Sequence, residues 1–210
     1  MANLYDFSVK TLSEIISSIF PDDHLESKSI IENALQMNGF KLCTYFPAKY
    51  DDPNKKALFE ELLQKKRYKS SNRDLLITRF YPKQLPIKYT IEEHTDRSKS
   101  YVFLPTIFDY KPTDELDVVE WYMNFANNDI FAFYNSNLLA QDELQVLECP
   151  QLASLREYFN QQQNETSTPR KKIFNPTVIQ DNLPYPILIS NVERVINLTA
   201  ANLYGKTSSQ

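Results

Sequence analysis

Glycine is nearly missing from this chain of 210 residues, which has only Gly39 and Gly205. A phosphate-cradling G-x-x-x-x-G-K loop is therefore excluded, and with it the nucleoside-triphosphate enzymes that use one. Backbone positions that need φ > 0 must fall mostly to asparagine and aspartate, which tolerate that region better than other residues. Asn135-Ser136-Asn137 is the expected place. Cysteine and histidine are also scarce. Cys43 and Cys149 make neither a disulfide framework nor a metal quartet. His24 and His94 have no zinc-type spacing. No metal and no cofactor is expected. Positive charge is not in excess either: a net charge of −4 excludes a general basic nucleic-acid binder. No apolar run approaches the ~18 residues of a membrane span, and no secretory signal pattern opens the chain. An intracellular protein without membrane contact is expected, in keeping with its two thiols.

What remains is a globular composition with 13% aromatic residues. The length suits one domain with a small helical lobe ahead of it. Ser8 reads as an N-cap for a helix that buries Leu12, Ile15, Ile16, Ile19 and Phe20. A second helix is predicted over about Leu25–Asn38, with Gly39 just past its end. Phe40–Phe46 is a short apolar segment. Asp52-Pro53 opens another helix, which ends in the basic run Lys65–Lys69. That run reads first as a solvated last turn, and second as a contact for an acidic polymer. Leu75–Tyr81, Ile87–Ile91 and Tyr101–Phe108 read as strands. Glu92–Arg97 between the last two is a surface hairpin tip rather than a metal or acid–base cluster. A further strand, Val118–Phe125, carries the only tryptophan, Trp121, which is expected in the core. Gln161–Lys172 reads as an exposed polar loop. Pro186–Ser190 and Val192–Leu198 read as strands, and the last residues as a disordered tail.

The chain is organised around Trp121–Phe159. Here a strand ends in Phe125-Ala126-Asn127, a loop rich in aromatics and asparagines follows, and Gln141-Asp142-Glu143 opens an amphipathic helix. In α/β proteins ligands bind where loops leave strand ends, and free N–H groups at the next helix favour anions. The ordinary reading of Asp142 and Glu143 is simpler: acids in a first turn complement the helix dipole.

The order F-A-N, loop, Q-acid-E, hydrophobic helix and proline-leucine segment resembles the signature of the poly(ADP-ribose) glycohydrolase macrodomains. In that family F-A-N is followed by a triple-glycine loop and then Q-E-E. Here the glycine slot falls on Phe131-Ala132-Phe133, and seven residues separate it from Gln141. Glu148-Cys149-Pro150-Gln151-Leu152 and Pro184–Glu193 also resemble parts of the family pattern. The likeness covers roughly residues 57–205 and is specific across 124–152. It implies a macrodomain-like α/β fold, a mixed sheet flanked by helices. The expected divisions are an N-terminal helical lobe at 1–50, the macrodomain-like domain at 51–205 and a tail at 206–210. The family's domain runs further, so this chain is expected to be a shortened relative or a piece of a longer protein.

The resemblance implies a partner, ADP-ribose or an ADP-ribosylated protein, and roles for named residues. Glu143 stands at the acid/base position for cleaving an O-glycosidic bond. Asp142 stands where the family holds a ribose hydroxyl, with a side chain one methylene shorter. Asn127 carries over as a ribose contact, and Gln141 opens the motif. Phe131-Ala132-Phe133 cannot approach a diphosphate as glycines do. Phe133 would stack on the ligand or fill its place, and Tyr134, Asn135 and Ser136 would take over the approach. Three readings stay open: a glycohydrolase using Glu143, a non-catalytic binder of ADP-ribose, and a scaffold that recruits proteins.

Overall fold

The computed structural model describes residues 31–64, 73–82, 122–164, 174–196 and 198. The helix predicted from Ser8, the basic run Lys65–Lys69, the strands at 87–91 and 101–108, the tip at 92–97, Trp121, the loop beyond Asn164 and the tail lie outside them. The chain divides into two compact units, Met1–Lys83 with Asn124–Ile196 and Gln84–Met123 with Asn197–Gln210. Of the second unit only residues 122, 123 and 198 are described.

In the first unit, strand β1 (Ile31–Asn38) runs into helix α1 (Gly39–Tyr45), and helix α2 (Pro53–Gln64) leads to strand β2 (Asp74–Phe80). After the central loop come helices α3 (Gln141–Glu148) and α4 (Pro150–Asn164), then strands β3 (Ile179–Gln180), β4 (Leu183–Pro184) and β5 (Ile187–Ser190). Among the described residues this is a mixed α/β fold with two small open sheets flanked by helices. One sheet has the order β1-β2-β5, antiparallel throughout, and the other is the β3-β4 hairpin.

The helix predicted over Leu25–Asn38 is corrected here, since residues 31–38 are a strand. Glu, Ala, Leu, Gln and Met favour a helix locally. Alternation decides otherwise: Leu35 and Met37 are buried opposite Ile77 and Leu75, while the intervening Gln36 and Asn38 side chains reach Asp74 at 2.6 and 3.2 Å. Pairing with β2 overrides weak propensity. Gly39 does not end a helix but begins one. The Asn38 side chain accepts the Lys41 N–H at 3.1 Å and caps α1, which takes in most of the predicted apolar segment 40–46. β1 thereby joins residues of the predicted helical lobe to the sheet of β2.

The helix from Pro53, the strand near Leu75–Tyr81 and the strand within Pro186–Ser190 are found as expected. Two other strands are not. The described part of Val118–Phe125, residues 122–125, joins no ladder, and Phe125 is exposed. Residues 192–196 bind helix ends instead of a strand. Val195 and Ile196 N–H groups donate to the Glu148 carbonyl, and Glu193 N–H donates to the Gln151 side chain at 2.8 Å. Residues 161–164, expected in a loop, continue α4.

The core lies between the three-stranded sheet and the helices. Leu35, Leu42, Leu75, Ile77, Val146, Leu147, Leu155 and Phe159 are buried there. Arg79 is also buried, on the core face of β2. It pairs with Glu32, donates to the Thr177 carbonyl and stacks over the Tyr185 ring at 4.2 Å. The Asp181-Asn182 turn joining β3 to β4 has φ of 53° and 61°, the paired left-handed residues of a type I′ hairpin. Asparagine and aspartate thus replace glycine here and at Asn191, with φ 64°.

Candidate functional site

The loop from Asn127 to Ala140 is fastened to three other parts of the first unit. On one side, the Val178 N–H donates to the Asn128 carbonyl at 2.7 Å and the Thr177 hydroxyl donates to Asp129 at 2.7 Å. On α4, Arg156 donates to the Ile130 carbonyl at 3.3 Å. On the third side the start of α2 takes hold. Asp51 and Asp52 N–H groups donate to the Asn135 carbonyl, and the Asn135 amide donates to the Asp51 carboxylate at 2.7 Å.

Left-handed backbone occurs in this loop at Phe131, with φ 55°, and not at Asn135-Ser136-Asn137 as expected. Phe131 occupies the first position of the slot aligned with the glycines. Its ring is buried, which fixes the residue in a conformation that its Cβ disfavours. Phe133, two residues on, is 46% exposed. Ser136 accepts the Leu138 N–H at 3.2 Å in a local turn. Asn127 is exposed, and its side-chain oxygen accepts the Asn128 N–H at 2.6 Å.

Tyr134 runs through the middle of this arrangement. Its carbonyl accepts a hydrogen bond from the Lys55 ammonium at 3.1 Å. Its hydroxyl donates to Glu157 at 2.7 Å and accepts the Lys49 N–H at 3.0 Å. Its ring meets Tyr50 edge-on at 5.5 Å. A residue expected to approach a ligand is therefore a buried post holding the loop to α2 and α4.

Gln141, Asp142 and Glu143 open α3 as predicted. Ala140 precedes them and has no side-chain acceptor, so only the reciprocal half of a capping box can form. Glu143 supplies it by accepting the Ala140 N–H at 3.1 Å. The residue is 4% exposed. Burial first, then the hydrogen bond and charge of Asp142, push its carboxyl pKa up from 4.5, opposed by its own backbone N–H and by Lys55. Asp142 is half-buried beside Glu143.

Lys55 was not legible as part of this site. It lies in the first turn of α2, where a cation opposes the helix dipole, yet it is 2% exposed. Burial lowers its pKa, and the charges of Glu143, Asp52 and Asp142 oppose that effect in that order. The sequence D-D-P-N-K-K resembles any solvated helix start. Asp52 does cap it, accepting the Asn54 and Lys55 N–H groups at 3.0 and 2.9 Å.

The structure thus brings Gln141, Asp142 and Glu143 together at one helix start, with Lys55 and the Tyr134 carbonyl beside them. Asn127, Phe133 and Ser136 lie along the same loop but, among the described residues, make no hydrogen bond to the acids. Among the described residues no group of His, Cys, Asp and Glu is arranged to hold a metal ion. No described helix is long and apolar enough to cross a membrane. A groove of about 570 Å³ lies between the end of α1 and the second half of α4, and none of the sequence-predicted site residues lines it. No known protein family, curated protein or solved structure matches the chain.

Proposed function

We propose that this chain is a macrodomain-like module that binds ADP-ribose, free or attached to a protein, through the loop between Asn127 and Gln141, without hydrolysing it. The observation that carries this reading is the backbone of Phe131. It bends left-handed, φ 55°, at the first position where the resembled family has glycine. Such a bend in a bulky residue persists only where the surroundings fix it. Asn127 and Phe133 offer exposed groups on that loop, an amide for a ribose hydroxyl and a ring for stacking. Catalysis is disfavoured because the Glu143 carboxyl is buried and bonded to the Ala140 N–H.

Calorimetric titration of the chain with ADP-ribose tests this. One-to-one binding, weakened about tenfold by Asn127→Ala, is expected, the worth of one good polar contact. Absence of binding at millimolar ligand would overturn the proposal. A second reading, O-glycosidic hydrolysis with Glu143 as acid/base, draws on one observation: the raised Glu143 pKa is what a general acid requires. Release of ADP-ribose from a modified protein, lost in Glu143→Gln, would favour it over simple binding.

A further inference from the structure

The groove beside α4 contains a counter-ion arrangement that the reading above does not use and on which it does not depend. Glu157 stands in its wall, with a side chain only 11% exposed. One carboxylate oxygen accepts the Tyr134 hydroxyl at 2.7 Å and the Asn160 amide at 3.4 Å. The other meets the Lys49 ammonium at 2.9 Å. Burial and the adjacent carboxylate raise the Tyr134 pKa, so the phenol remains a donor throughout the ordinary pH range. It fixes the carboxylate in place without neutralising it.

Lys49 is the replaceable partner. Its side chain is 69% exposed, and an ion pair so open to water is worth only about 0–1 kcal/mol. The Tyr45 ring lines the same groove and is partly exposed, suited to lying against a cation. Gln161 and Gln163 line it too, and Gln163 is exposed, with a carboxamide able to meet a peptide backbone. The volume of about 570 Å³ is in the range of small-ligand sites. A net charge of −4 favours the approach of cations.

We propose that this groove receives the cationic side chain of a basic peptide segment, with Glu157 as its counter-ion and Lys49 as an internal occupant that the incoming cation displaces. The Tyr134 hydroxyl holds the carboxylate ready, and the Tyr45 ring and the Gln163 carboxamide flank the entering chain.

The test is titration of the whole chain with a blocked glycyl-arginyl-glycine tripeptide and with its citrulline counterpart, which has nearly the same shape and no charge. The arginine peptide is expected to bind about tenfold or more tightly than the citrulline one, a difference of one lost charge-assisted contact. Lys49→Ala removes the internal competitor and should tighten arginine binding about two- to fivefold, the worth of an exposed pair. Glu157→Gln should abolish the preference for charge. Should that variant fail to fold, Lys49→Ala decides alone, since its side chain is mostly in water. Equal binding of the two peptides, no binding of either, or unchanged or weaker binding to Lys49→Ala would each overturn the proposal.

Discussion

Phe131 is under two opposed demands. Its ring is buried, while its backbone has φ 55°, a conformation that costs an ordinary L-residue about 1–2 kcal/mol. Losing a buried phenylalanine ring costs about 3–5 kcal/mol. Phe131→Ala loses the ring and keeps the strain, whereas Phe131→Gly loses both. Both variants should be less stable than the wild type. The glycine variant should nevertheless be about 1 kcal/mol more stable than the alanine one, reversing the usual order. Urea denaturation midpoints measure this, and alanine above glycine would reject the left-handed bend. Lys55 is the second residue whose environment defines it. Lys55→Met keeps most of the apolar stem and deletes the bond to the Tyr134 carbonyl. A loss of about 1.5–3 kcal/mol is expected for a buried hydrogen bond from a charged donor. A loss near zero in the same denaturation experiment would mean that burying the ammonium cancels what its partners return. Neither residue could be singled out from its type. A phenylalanine says nothing of its φ, and a lysine at a helix start is ordinarily solvated.

Elements were legible where local chemistry and tertiary demand agree. Asp52-Pro53 carries both a cap and a first-turn proline, so α2 could be placed. Gln141–Glu148 has acids at its start and an apolar face, so α3 could be placed as well. The β-rich run Leu75–Phe80 contains the residues that make β2. Ile31–Asn38 is the opposite case: its composition favours a helix, while its burial alternates against β2. The turn at Asn38-Gly39 has signals that serve either end of a helix, because asparagine and glycine are common at both. The observed cap makes a prediction that separates the two. Asn38→Ala should cost about 1 kcal/mol, and Asn38→Ser should recover most of that loss, because its hydroxyl can accept the Lys41 N–H without setting a second carboxylate against Asp74. Thermal denaturation of the two variants is the measurement. If alanine were tolerated as well as serine, the Lys41 N–H would not depend on Asn38. The motif region fails in an instructive way. F-A-N ends an apolar run, but an apolar run does not recruit a sheet neighbour, and the described residues 122–127 form no ladder.

Across the first unit, the candidate site is a junction held by charge. The loop joins α2 through Asn135 and Tyr134 and joins α4 through Tyr134 and Arg156, while Glu143 closes the start of α3. The buried acid at this junction makes folding sensitive to pH in a definite sense. The Glu143 pKa is raised in the folded chain above 4.5, so between 4.5 and the folded value the native state holds a proton that the unfolded chain has released. Stability from this group is therefore fully present below 4.5 and is lost as pH rises through the folded value. Glu143→Gln can still accept the Ala140 N–H and does not ionise, so it retains the cap and removes the pH dependence. Relative to the wild type, its stability should increase as pH rises above 4.5 and through the folded value, and then level off. Urea denaturation of both proteins across that range gives the difference directly, free of groups that titrate alike in both. A flat difference would mean that Lys55 and the backbone N–H compensate the carboxylate fully, and that Glu143 ionises in the fold as it does in water. It would also remove the support for general acid catalysis, because a raised carboxyl pKa is the property that such chemistry needs. A rising difference would leave Glu143 able to retain a proton above the ordinary carboxyl range. Its burial and its bond to Ala140 would then be what keeps that proton from solvent and from the loop surface.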